Sequence, residues 1–327
     1  MKFTVSLPIG GPIHNVSEIS TLATKADQLG FNAVTASERI IMPRNIKSKY
    51  PYGPKGKIPG VGTSQNTLEL LSVMSYIAAK TKNISLVPTV IVLPYRNPII
   101  AAKILATIDQ LSNGRLVVGC GVGWNLEEAQ TLMVPTPFNK RGTVSDEYIM
   151  AWKELWSKEN PEFRGEFLEI YNVDFAPKTV QQPSPPFWAG GESPAAIRRA
   201  AQLCDGWLPS DSNPLYPLNT AELFKIAVYK LRNMLEDQNR NPYDFVIRFG
   251  AVPWDGDIRK TEMITDSIRF WSKIGVTHQS LELSGSLSEK LELLDSFASE
   301  IFPLVNDRTS ILDQLDYQSQ KRNVSNY

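Results

Sequence analysis

Three glycines at alternate positions, Gly119, Gly121 and Gly123, close the apolar run of GRLVVGCGVGW (114–124). Glycine lets a backbone come close to a neighbour or a ligand. The spacing therefore raises two chemistries, a phosphate cradle for a dinucleotide or a strand end shaped around something else. The dinucleotide fingerprint requires a third glycine three positions after the second. Counted from Gly119 and Gly121, that position is Trp124, whose indole would stand against the pyrophosphate. The fingerprint fails there. GGESPAAIRRAA (190–201) is the stronger anion site. Gly190 and Gly191 let the backbone approach a ligand, Ser193 can cap a helix and Pro194 suits its first turn. The N–H groups at such a helix start, with Glu192 and Ser193 in the loop, hold phosphate with no lysine required. An ordinary glycine-rich turn with a good cap is the plainer reading of the same residues.

The order of apolar periods shows what must position these segments. Strand patterns occupy residues 2–7, 31–37, 84–92, 115–120, 185–190, 205–209, 244–252 and 277–283. Between them lie helical patterns at Val16–Leu29 (closed by Gly30), 68–79, 99–111, from 126, 143–156, 194–203, 221–235, 263–271 and 287–302. The segment 163–183 alternates aromatic residues about a turn and reads as a surface hairpin. Eight short, buried-looking strands alternating with helices predict a parallel sheet closed into a (β/α)8 barrel, class α/β. A doubly wound open sheet is the alternative. No shift of composition marks a second domain, so residues 1–305 read as one domain and 306–327 as a polar tail.

Composition removes several function classes. The 327-residue chain has 34 Lys plus Arg against 34 Asp plus Glu, so no global field draws it to nucleic acid or to a membrane. No apolar run approaches a membrane span and the N-terminus enters a strand at once, which predicts a cytoplasmic protein. Two cysteines, Cys120 and Cys204, fit a reducing compartment better than a disulfide scaffold. With two histidines, His14 and His278, a His-rich metal site is excluded and no metal is expected.

In such a barrel the loops after the strands carry the chemistry. His14, after the first strand, could donate a proton or bind substrate, against the plainer reading of an exposed loop histidine. Glu38 and Arg39 end the second strand and could pair at the barrel mouth, where a carboxylate could also hydrogen-bond a cofactor. Trp124, Tyr95 and Trp188 are either packing aromatics or a wall for a flat ring. Cys120 reads as a small buried hydrophobe and His278, at the start of the eighth strand, as structural.

The segments 31–40, 84–129, 140–148, 177–207 and 274–283, taken in order, resemble the luciferase-like monooxygenase family, and together they span most of residues 1–305. The resemblance implies the same barrel and an oxidoreductase working on a small organic substrate through a flavin or deazaflavin. The GVGW and DEY forms are most similar to the branch that uses coenzyme F420 for hydride transfer; an FMNH2-dependent monooxygenase using oxygen is the alternative. A homodimer is the expected assembly. Carried over, the family's non-prolyl cis peptide falls at Thr89–Val90 under the cofactor ring. Gly121 and Gly123 let the fourth strand turn beneath it, Trp124 and the next residues line its tail or the substrate pocket, and Gly190–Ser193 form the phosphate loop. Many relatives have histidine where this chain has Arg39. Arginine stays protonated and cannot shuttle that proton, though it could hold an anionic substrate or a reduced flavin. A flavin-binding protein without turnover is therefore the reading from another class.

Overall fold

A computed structural model of the chain describes residues 1–11, 16–53, 56 and 66–305. His14 and the 306–327 tail lie outside them. Eight parallel strands form the centre: β1 (Lys2–Ser6), β2 (Ala33–Ala36), β3 (Ser85–Pro88), β4 (Val118–Gly121), β5 (Phe187–Gly190), β6 (Gly206–Leu208), β7 (Val246–Val252) and β8 (His278–Leu281). Their order around the sheet is β3-β2-β1-β8-β7-β6-β5-β4, with a ninth segment, Ile91–Val92, beyond β4. That segment continues β3, so the third strand pairs with β2 through Ser85–Pro88 and with β4 through Ile91–Val92. The sheet thus meets itself, and the fold is the (β/α)8 barrel that the sequence predicts.

The third strand is where expectation and structure differ. Residues 84–92 read as one strand, but the chain breaks at Thr89–Val90, whose peptide is cis as the resemblance implies. The glycines of β4 are shaped to that break. A Cβ on Gly119 would lie 1.8 Å from the Pro88 carbonyl oxygen, and one on Gly121 would lie 2.2 Å from Val90 Cγ2. The alternate glycines therefore serve a neighbouring strand, and the phosphate-cradle reading of them is set aside.

Alternation along the strands sorts the core into two layers. Ala33, Val87, Val117, Trp188 and Leu208 pack together inside the barrel, with Val90 and Val246 against them. Their neighbours Val34, Leu86, Val118, Ala189, Trp207 and Ile247 point outward into the layer under the helices. Those helices are α1 (Val16–Leu29), α2 (Leu70–Lys80), α3 (Pro98–Ser112), α4 (Leu126–Thr131), α5 (Arg141–Ser157), α6 (Pro194–Leu203), α7 (Ala221–Glu236), α8 (Thr261–Ile274), α9 (Leu287–Glu300) and the short α10 (Phe302–Val305). The expected surface hairpin pairs Phe163–Arg164 with Glu169–Ile170. Its turn is held from below by buried Glu147, whose carboxylate accepts the Glu166 and Phe167 N–H groups at 2.8 Å each. Among the described residues no helix is long and apolar enough to cross a membrane.

Candidate active site

A cleft of about 620 Å³ opens where the strands end. Thr89, Val90 and Val92 form one wall, the Gly121–Trp124 turn a second, and Gly190–Ser193 a third. Leu208 of β6 with Pro209 and Ser210 after it, Arg248 of β7, Arg141 and Gly142 at the start of α5, and Pro51 and Tyr52 of the long loop also line it. All eight residues expected to hold a cofactor (Thr89, Val90, Gly121, Trp124, Gly190, Gly191, Glu192 and Ser193) line this one cleft.

Its polar end is built from two helix starts. Ser193 caps α6 by accepting the Ala196 N–H at 3.2 Å, and Pro194 occupies the first turn. Gly191 stands at φ 104°, a conformation that side chains resist, and Trp207 Nε1 fixes its carbonyl at 2.8 Å. The first turn of α5 comes to the same place, continuing directly from a 3-10 turn (Phe138–Lys140) whose Phe138 carbonyl accepts the Arg141 N–H. Helix starts leave N–H groups without intrahelical partners and carry partial positive charge. Arg141 adds a full charge, its Nε donating to the Gly123 carbonyl at 2.9 Å. Arg199 is less available, because it is buried, paired with Asp146, and donates to the Gly142 carbonyl at 2.9 Å.

Glu192 belongs to the loop but turns its carboxylate aside. One oxygen accepts the Ser210 N–H and the other the Asn213 amide, both at 2.7 Å. Burial pushes its carboxyl up from the ordinary range, partly opposed by the Asn213 hydrogen bond. Its side chain fastens the loop after β6, which carries Leu215 and Tyr216 to the mouth of the cleft.

Two expectations need correction. Glu38 and Arg39 do not line the cleft; each is committed to a partner behind its wall. The Glu38 side chain, 2% exposed, accepts the Val92 N–H at 2.6 Å and pairs with Arg96, which also reaches Glu69. Burial pushes its carboxyl up, and the Arg96 charge works against that. Arg39 pairs at 2.6 Å with Glu128, itself 1% exposed, and lies over the Trp124 ring with 5.6 Å to the centroid. Both residues are bonded where the local turn places them: Glu38 beside the continuation of β3, Arg39 against α4. Sequence position at a strand end fixed their neighbourhood but not their direction.

The aromatic candidates divide. Trp124 is a wall residue, braced by Tyr50 at 5.1 Å between ring centroids. Tyr95 stands behind the cleft and donates its hydroxyl to the Asn125 carbonyl at 3.0 Å. Trp188 is deeper in the barrel, edge-on to His278 at 5.2 Å. Burial pulls the His278 ring down to about 3, so it is neutral in the interior. Cys120 is buried, and burial pushes its thiol well up. Arg248 also lines the cleft, outside the set of residues expected there. The signal is there in FVIRFG, where Val246, Arg248 and Gly250 alternate with Phe245, Ile247 and Phe249, so the charge sits on the inward row.

The family model described as luciferase-like monooxygenase matches residues 1–253. The chain belongs to this family. An uncharacterized protein of Mycobacterium tuberculosis (strain H37Rv) is 32% identical over 197 residues, 59% of this chain and 65% of that protein. An FMNH2-dependent dimethylsulfone monooxygenase of Pseudomonas putida is 31% identical over 151 residues, 46% of this chain and 41% of the relative. The match thus spans less than two thirds of either relative's length. Among solved structures, the monooxygenase RslO1 from Streptomyces bottropensis superposes with a TM-score of 0.74 at 21% identity, covering 93% of this chain and 99% of that one. The coenzyme F420-dependent tetrahydromethanopterin reductase of Methanopyrus kandleri does so with a TM-score of 0.69 at 16% identity, covering 92% and 98%. These superpositions show that the luciferase-like chain shares its barrel with both.

Proposed function

We propose that this luciferase-like protein is an oxidoreductase that holds a flavin-type ring against Thr89, Val90 and Gly121, and its phosphate at the starts of α5 and α6. The observation that carries the reading is the continuity of one cleft from the barrel mouth to those two helix starts. The residues fit such a group. The Gly121 position leaves the wall flat beside Val90, and Gly191 bends the loop so that backbone faces the anion site. Arg141 supplies charge for a phosphate beside the start of α6.

With F420 the bound ring would exchange a hydride with a small organic substrate, and with reduced FMN and oxygen it would support monooxygenation. We take F420 as the first reading, on the likeness of the GVGW and DEY segments to that branch. The dimethylsulfone monooxygenase match favours reduced FMN as the second. In either case the protein's part is positional: Trp124 and Tyr52 wall the ring, Leu208 lies beside it, and the helix starts fix its tail.

Ala195 tests the anion site without disturbing the fold. It is exposed, lines the cleft and lies in the first turn of α6. A carboxylate there suits the helix, worth about 0.3–1 kcal/mol, but stands where the phosphate must come. Gly191 would be a poorer probe, since its positive φ makes any side chain strained. Ala195→Glu is expected to keep the parent melting temperature or raise it slightly, and to weaken FMN or F420 binding at least tenfold by calorimetry. Parent-like affinity in that variant would move the phosphate elsewhere.

A further inference from the structure

Arg248 is a charged group in the cleft that the cofactor reading leaves unused. It sits on the inward row of β7 and lines the cleft wall. One terminal nitrogen donates to Ser280 on β8. Its Nε–H is buried with no hydrogen-bond partner, and among the described residues no carboxylate forms an ion pair with it. Burial pulls the guanidinium below its ordinary range, only partly opposed by exposed Glu282. An arginine nevertheless stays charged in proteins. A half-buried cation whose Nε–H has no acceptor is costly, and a ligand that brings the anion recovers part of that cost.

The fold also fixes what Arg248 faces. In the closed order β3-β2-β1-β8-β7-β6-β5-β4, β7 is four strands from β3 in either direction. Arg248 therefore stands across the barrel from Thr89 and Val90, and a ring lying on those residues has its free face toward β7. A register shift in the β7–β8 pairing directly after Arg248, with Gly250 at φ 73°, bends the strand at that point. Such bulges re-aim side chains beside active sites. Phosphate is served at the other end, by α5 and α6.

We propose that Arg248 anchors a carboxylate of the substrate, so that the substrate class is small organic carboxylates presented to the free face of the ring. A carboxylate in the cleft can accept from the terminal nitrogen that Ser280 leaves free, a charge-assisted hydrogen bond of the kind that arginine favours. Arg39, whose charge could have held an anionic substrate, is already neutralised by Glu128, which leaves Arg248 to do so. The inference rests on the cofactor placement only for the direction from which the substrate arrives.

The test uses the full-length protein with hexanoate and hexanamide, which share size and apolar tail and differ in charge. Binding of each is measured by calorimetry, alone and with FMN or F420 present, for the parent, Arg248→Met and Arg248→Lys. The expected result is that the parent binds hexanoate at least tenfold more tightly than hexanamide. Arg248→Met should lose that preference and keep cofactor affinity, while Arg248→Lys should retain part of the preference. Should Arg248→Met fail to fold, the parent and Arg248→Lys still decide the matter through the size of the preference. Equal binding of the two probes by the parent overturns the proposal. So does an Arg248→Met protein that keeps the preference, or one that loses cofactor and hexanoate alike, which would assign the arginine to the ring. An Arg248-dependent hexanoate preference in a protein that binds neither FMN nor F420 would leave the anion site standing and remove the cofactor reading.

Discussion

Gly119→Ala is expected to cost the protein at least about 3 kcal/mol of stability, the upper end of what forced overpacking produces, or to prevent folding. The added methyl carbon would start 1.8 Å from the Pro88 carbonyl oxygen and 3.0 Å from its carbon. Both obstacles are backbone in the strand that closes the barrel, so no rotamer change relieves them. Gly121→Ala is a useful contrast. Its methyl would meet Val90 Cγ2 at 2.2 Å and Val90 Cβ at 3.3 Å, a side chain that can be shortened. Removing that side chain with Val90→Ala should therefore recover much of the loss from Gly121→Ala, whereas Gly119→Ala has no such partner. Urea denaturation of the single and double variants reads both effects. A Gly119→Ala protein within about 1 kcal/mol of the parent, the size of an ordinary substitution, would show that β3 and β4 do not approach as described.

The second large effect is expected at Glu38. Glu38→Ala removes the counter-charge of Arg96 and leaves the Val92 N–H, on the closing segment of β3, without its acceptor. Breaking a buried pair by deleting one partner costs about 3–5 kcal/mol. Arg96 keeps Glu69, and its side chain is 16% exposed, so the lower end, about 3 kcal/mol, is the expected loss. Glu38→Gln can still accept from Val92 and should lose roughly half as much. The distinguishing measurement is thermal melting beside cofactor titration. A stability loss in the apo protein marks a residue that builds the wall. An unchanged melting temperature with lost cofactor affinity would instead restore Glu38 to the cleft.

These two residues show how far the chain could be read unaided. The eight βα repeats are legible because buried parallel strands and amphipathic helices impose different periods, and the helix starts at Val16 and Pro194 agree with the structure. The loop that opens α6 is legible because glycines, a capping serine and a proline fall in one short segment. The break in β3 was accessible only through resemblance, since SLVPTVIV has the composition of a continuous strand. Glu38 and Arg39 stand at the expected end of the barrel, but they turn to Arg96 and Glu128 rather than to each other. Which of several carboxylates an arginine meets depends on turns of the long loop after β2, where no periodicity operates. Arg248 becomes legible only when the charge in an apolar strand is set against the inward alternation of Val246 and Gly250. His14 lies outside the described residues.

The most direct test of the central claim is equilibrium binding of FMN and F420, each oxidised and reduced, to the purified full-length protein. Binding can be followed by the fluorescence of Trp124 and its neighbours in the cleft and confirmed by calorimetry. The structure predicts that at least one of the two cofactors binds one-to-one in the micromolar range or tighter, and that Ala195→Glu weakens it. Titrations in which neither cofactor, in either redox state, binds below millimolar concentration would contradict the account.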